Sequence, residues 1–144
     1  MTDQRVSLAL IGCGSIAQSH WQGIQGDAPN VHVTAVIDTD SERAQNMAKQ
    51  TGAQAFTSIN EALDKGSFDA VDIMLPHDQH EEAAIACFEA GKHVVLEKPM
   101  AMTLDACQRI MYAAASAGTV FMVAEQSHYW PDACLLYTSD AADE

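Results

Sequence analysis

Ala9-Leu10-Ile11-Gly12-Cys13-Gly14-Ser15-Ile16-Ala17, near the start of the chain, is the stretch whose reading decides the fold. An apolar run of strand character enters a Gly-x-Gly-x-x-Ala turn, and a helical pattern leaves it. Strand before and helix after turn a weak glycine motif into a strong one. Gly12 permits the tight turn, and Gly14 lets the backbone approach a pyrophosphate. Ala17, where a third glycine often stands, still permits close helix–strand packing. The helix amino end at Ser15 and Ile16 offers free N–H groups and a positive dipole to an anion. A glycine turn without a ligand is the plain alternative.

Outward from that turn, apolar runs of strand length alternate with helical patterns. Strands are predicted at 7–11, 31–37, 54–56, 70–75, 93–97 and 119–124. Their near-continuous hydrophobicity fits parallel strands covered on both faces by helices. A helix over 78–90 should bury His80, Ala83, Ala84, Cys87 and Phe88 and stop at Gly91. Thr103 should cap the next helix, with Leu104, Cys107, Ile110, Met111 and Ala114 inward and Gly118 at its end. Helices over 41–50 and 58–65 should close at Gly52 and Gly66. The predicted fold is therefore α/β: one doubly wound parallel sheet, a Rossmann domain over 1–123, in the order 3-2-1-4-5-6.

The chain has 144 residues and a formal charge of −13, with only seven Lys and Arg scattered along it. That balance argues against nucleic acid or an anionic membrane as partner, because nothing could neutralise a row of phosphates. No apolar run reaches about 18 residues and no secretory leader is evident, which points to the cytoplasm. Four cysteines without metal-ligand spacing read as reduced thiols. No metal site is expected. His77 and His80 lie three apart at a helix start, but no third ligand accompanies them.

Asp38 closes the second predicted strand, where a carboxylate accepts from the adenosine ribose hydroxyls and repels a 2′-phosphate. Neither Thr39, Asp40 nor Ser41 is a base, so NAD is favoured over NADP, although Arg43 is near enough to reach a phosphate. Asp38 as a simple turn residue is the alternative. Glu97-Lys98-Pro99 places a lysine at the carboxyl edge of the fifth strand, where a nicotinamide ring would lie. His20 and Trp21 read as packing residues of the first helix, and His93 as packing at a strand start.

Met74-Leu75-Pro76-His77-Asp78-Gln79-His80 and Ala90-Gly91-Lys92-His93-Val94-Val95-Leu96-Glu97-Lys98-Pro99-Met100 resemble the Gfo/Idh/MocA oxidoreductases. The resemblance covers about residues 6–131. It implies a Rossmann domain followed by a second α/β domain, which is missing here. It places Leu75, Pro76 and His80 in the loop beside the cofactor, with a capping or core role for His80 in competition. It implies that Glu97 contacts the nicotinamide side. Lys98 would be the catalytic lysine, donating to the substrate oxygen, and Pro99 would hold its turn through a cis bond. Gln126 and His128 stand where family members often carry Asn and Arg, so they would face substrate. Packing against the missing domain is the alternative for His128 and Tyr129.

Residues 124–133 are read as the start of a connection to that second domain. Residues 134–144, Cys134 to Glu144, resemble a translated transposon-end sequencing adapter, so the natural gene is expected to continue past Ala133. A genuine acidic tail is the other reading.

The expected function is that of an NAD-dependent dehydrogenase acting on a secondary alcohol of a sugar, polyol or similar small molecule. The chain itself would be the inactive cofactor half, and the complete protein a homo-oligomer assembled through the second domain. NAD-assisted glycoside cleavage or epimerisation, and a non-catalytic nucleotide sensor, are the competing functions. A sensor needs the glycine turn but not Lys98.

Overall fold

The computed structural model describes residues 5–129. The adapter-like residues 134–144, the connection from 130 to 133 and the side chains of His128 and Tyr129 lie outside them. Six strands, β1 (Val6–Ile11), β2 (Val31–Ile37), β3 (Gln54–Phe56), β4 (Ala70–Ile73), β5 (His93–Glu97) and β6 (Phe121–Ala124), form one sheet. Its order is β3-β2-β1-β4-β5-β6, and every neighbouring pair is parallel. The sequence-based order and α/β class are those observed. Three strands differ at their ends by one to two residues; β4, for example, stops at Ile73 rather than 75.

The helices are α1 (Ser15–Asp27), α2 (Ser41–Thr51), α3 (Ile59–Lys65), α4 (His80–Glu89) and α5 (Leu104–Ala117). Strand alternation sorts the core into two layers. Ala9 and Ile11 of β1, with Val71 and Ile73 of β4, pack with Ala83, Cys87 and Phe88 of α4. Leu8 and Leu10 face the other way, toward Ala17 of α1 and Met47 of α2. A chain that crosses to both faces in this way is doubly wound.

Caps follow local chemistry. Asp40 accepts from the amides of Glu42 and Arg43, Ser58 from Glu61 and Thr103 from Ala106. The expected buried stripe of α4 is fully inside. The inward face expected for α5 needs correction. Ile110 and Ala114 are buried as expected, but Leu104 and Met111 are 81% and 57% exposed, and Ala106 takes a buried place instead. Small side chains let α5 approach its neighbours closely, and that rotation leaves the larger Leu and Met outside. Cys107 is half-buried.

Candidate functional site

The site lies along the carboxyl edge of the sheet, where the order reverses between β1 and β4. Past Ile11, the Gly12 amide donates to the Ile37 carbonyl at 2.8 Å. Gly12 then turns at φ +94°, and a Cβ there would sit 2.6 Å from the Met74 carbonyl oxygen. Only glycine meets both conditions. Gly14 precedes the first residue of α1 at φ −81°, without a side-chain cap, and the first turn of α1 contains no acid. A Cβ on Gly14 would meet nothing within 4 Å. The space in front of it is open cleft, faced by helix N–H groups that have no intrahelical acceptor. Ala17 is fully buried beneath this turn against the β1 side.

Asp38 does two jobs. Its Oδ2 accepts from the Cys13 amide at 2.8 Å and its Oδ1 from the Asp40 amide at 2.9 Å. The carboxylate therefore fixes the glycine turn while bordering a cleft of about 390 Å³ that Gly12, Gly14, Ser15, Ile16, Leu75 and Pro76 also line. Burial, reinforced by the Asp38 charge, pushes the Cys13 thiol up to about 12. Cys13 is thus no nucleophile. Arg43 borders the same cleft, with its Nε 3.5 Å from Asp40 Oδ2. Thr57, Ser58 and Ile59, just past β3, complete the wall beyond Asp38. Sequence reading missed them, although parallel pairing of β3 with β2 puts the segment after β3 at the same sheet edge.

A smaller cavity of about 130 Å³ continues the cleft, walled by Ile16, Met74, Leu75, His77, Glu97 and Lys98. Ile16, Met74 and Leu75 border both spaces, so one trough runs from the glycine turn to Lys98. Lys98 is exposed, and among the described residues no other side chain holds its ammonium. The Lys98–Pro99 peptide is cis.

His80 is fully buried and lines neither cavity. Its Nδ1 lies 2.9 Å from the Pro99 carbonyl oxygen and its Nε2 2.9 Å from that of Leu75. It clamps the Leu75 loop to the Lys98 turn from beneath, the structural role that competed in the sequence, and has no ring nitrogen left for a metal. Gln126 borders a third space of about 330 Å³ with His20, Glu97 and Met122. A larger cavity, about 720 Å³, opens between α4 and α5 around Phe88 and Tyr112. It touches none of the carboxyl-edge residues.

The chain's residues fit an extended dinucleotide: an unfilled approach at Gly14, unpaired helix N–H groups, an acid at the β2 end and a basic group at the far end. A parallel sheet in this order with such a trough defines a dinucleotide-binding Rossmann domain. The chain belongs to the Gfo/Idh/MocA oxidoreductase family with an NAD-binding Rossmann fold, whose profile matches residues 6–125.

Among curated relatives, 4-carboxy-2-hydroxymuconate-6-semialdehyde dehydrogenase of Sphingobium sp. is 31% identical over 95% of this chain and 44% of its own. Inositol 2-dehydrogenase 2 of Saccharopolyspora erythraea is 34% identical over 78% of this chain and 34% of its own. The WlbA dehydrogenase of Bordetella pertussis, solved with NADH and UDP-GlcNAcA, superposes with a TM-score of 0.85 at 32% identity. That match covers 90% of this chain and 37% of the other. The chain spans less than half the length of these relatives.

Proposed function

We propose that this chain is the coenzyme domain of an NAD-dependent dehydrogenase acting on a secondary alcohol of a sugar, polyol or related small molecule. The observation that carries this reading is the continuous trough, with a glycine cradle at one end and Lys98 at the other. Bound NAD supplies a two-electron hydride acceptor. The glycine turn and the start of α1 bind the pyrophosphate through backbone N–H groups. Ile16 and Leu75 exclude water from the middle of the trough. Lys98 holds a positive charge beside the substrate oxygen, where it stabilises developing alkoxide. Glu97 and Pro99 aim it, and Gln126 faces the substrate side.

In this proposal residues 1–123 form the domain, and a second domain of the complete, cytoplasmic enzyme supplies the remaining substrate contacts and its oligomer interface. The names of the relatives, inositol dehydrogenases among them, support an alcohol as substrate.

Titration of the 144-residue chain with NADH tests the proposal. Binding raises the melting temperature, with about 2.7 kcal/mol of stabilisation at a hundredfold excess over Kd. An unshifted melting temperature and unchanged NADH fluorescence would refute it. Coenzyme choice is tested separately by Asp38→Ser. Losing the carboxylate should weaken NADH binding by roughly tenfold while narrowing the gap to NADPH. Fluorescence titrations with both coenzymes read that ratio, and an unmoved ratio removes Asp38 from selection.

A further inference from the structure

A line of three ionisable side chains joins α1 to the carboxyl ends of β4 and β5. Strand alternation creates it. Val71 and Ile73 of β4 enter the core under α4, which sends Asp72 to the α1 face. Val94 and Leu96 of β5 do the same and send Glu97 there. His20, in the second turn of α1, stands against both: Nδ1 lies 2.7 Å from Asp72 Oδ2, and Nε2 lies 3.3 Å from Glu97 Oε1.

Asp72 is 5% exposed, and its Oδ1 is buried without a hydrogen-bond partner. Its cross-strand neighbours are the apolar Leu10 and Val95. Sheet packing alone gives no reason for a carboxylate at this position, and burying one costs free energy unless a charge partner offsets it. At the other end of the line, Glu97 Oε2 accepts the amide N–H of Lys98 at 3.0 Å. Glu97 therefore links the His20 ring to the first peptide of the Lys98 turn.

We propose that His20 is a positioning residue for Lys98: clamped between Asp72 and Glu97, it fixes the Glu97 carboxylate and through it the Lys98 turn. An ionised carboxylate only accepts, so donation from both ring nitrogens requires the imidazolium. The hydrogen bond to Asp72 raises the ring above its ordinary value of 6.5, burial opposes this, and the charges of Asp72 and Glu97 add to the rise. Glu125, after β6, borders the same cavity as His20 and Glu97. On α1 itself no other titratable group occurs before Asp27.

The sign follows from the raised value. The clamp is complete below about pH 6.5 and is lost as pH rises through the folded ring's higher pKa. On deprotonation the shorter bond to buried Asp72 keeps the remaining proton. Nε2 then turns a lone pair toward Glu97, and the hold on the Lys98 turn relaxes.

The inference rests on the coenzyme reading only for what the Lys98 turn faces, so it is tested first without coenzyme. In the ¹⁵N-labelled 144-residue chain, the His20 ring nitrogens and the Lys98 amide are followed by NMR from about pH 5.5 to about pH 9.5. The expected result is a doubly protonated ring at neutral pH and a Lys98 amide resonance that moves with the ring's titration. A ring that is neutral there, or an amide that ignores it, overturns the proposal. His20→Gln should displace the Lys98 amide, abolish its pH response and weaken NADH binding by about tenfold.

If His20→Gln does not fold, Glu97→Gln removes one carboxylate and should lower the ring's titration point. An unchanged titration point overturns the proposal equally. A chain that binds no NADH, yet shows His20 and Lys98 titrating together, refutes the coenzyme reading and supports the clamp.

Discussion

Lys98→Met, made in a complete enzyme carrying this domain, is expected to lower kcat by about 10²–10⁴-fold while NADH affinity stays within about threefold. Methionine keeps an unbranched apolar stem at the cavity that Met74 and Leu75 also line, and removes the charge. The Lys98 backbone amide still donates to Glu97, so the turn is retained. The ammonium is held by no other side chain among the described residues, so its removal strands no buried partner. A loss confined to kcat marks an interaction made only as charge develops on the reacting oxygen. Steady-state kinetics with NADH titration alongside separate the two quantities. Turnover that survives the change takes Lys98 out of the chemistry and revives the nucleotide-sensor reading.

The second large effect contrasts two glycines two residues apart. Gly12→Ala forces a side chain into a positive-φ position and within 2.6 Å of a backbone carbonyl oxygen. That oxygen belongs to the backbone and not to a flexible side chain that could move aside. The expected cost is about 3 kcal/mol, a fall in melting temperature of roughly 10 °C, and it is present without coenzyme. Gly14→Ala places its Cβ in open space at an ordinary φ. Its stability should change by less than about 0.5 kcal/mol, while NADH binding weakens by at least about tenfold because the methyl occupies the approach to the backbone. Thermal denaturation with and without NADH distinguishes a glycine required by the fold from one required by the ligand. Equal stability losses in the two variants would contradict this division.

Most of the sheet was legible because buried parallel strands announce themselves as apolar runs between helical patterns. The glycine turn, Asp38 and Lys98 were legible because each sits where one strand ends, and strand ends share one edge once the order is known. Side-chain rotation about a helix was not legible to the same degree. In α5 the periodic stripe placed Ile110 and Ala114 correctly, yet the small Ala106 faces inward while the larger Leu104 and Met111 stay outside. From sequence His20 reads as packing, since its partners Asp72 and Glu97 lie on strands far away along the chain. One signal was present: Asp72 interrupts an otherwise apolar strand, and a lone carboxylate there calls for a basic group on the covering helix. His80 illustrates the converse limit. Its place on the buried stripe was correct, but only the folded loops reveal that two carbonyl oxygens occupy its ring.

Cys13 lies inside the glycine turn, with its sulfur 3.6 Å from the Ile37 carbonyl oxygen and its thiol pushed up to about 12. Cys87 is equally suppressed by burial. Alkylating reagents at neutral pH should therefore bypass both and select the half-buried Cys107 on α5. With Cys134 replaced by serine, a single maleimide dye at Cys107 would report on the domain by fluorescence without any chemical footprint on the coenzyme trough.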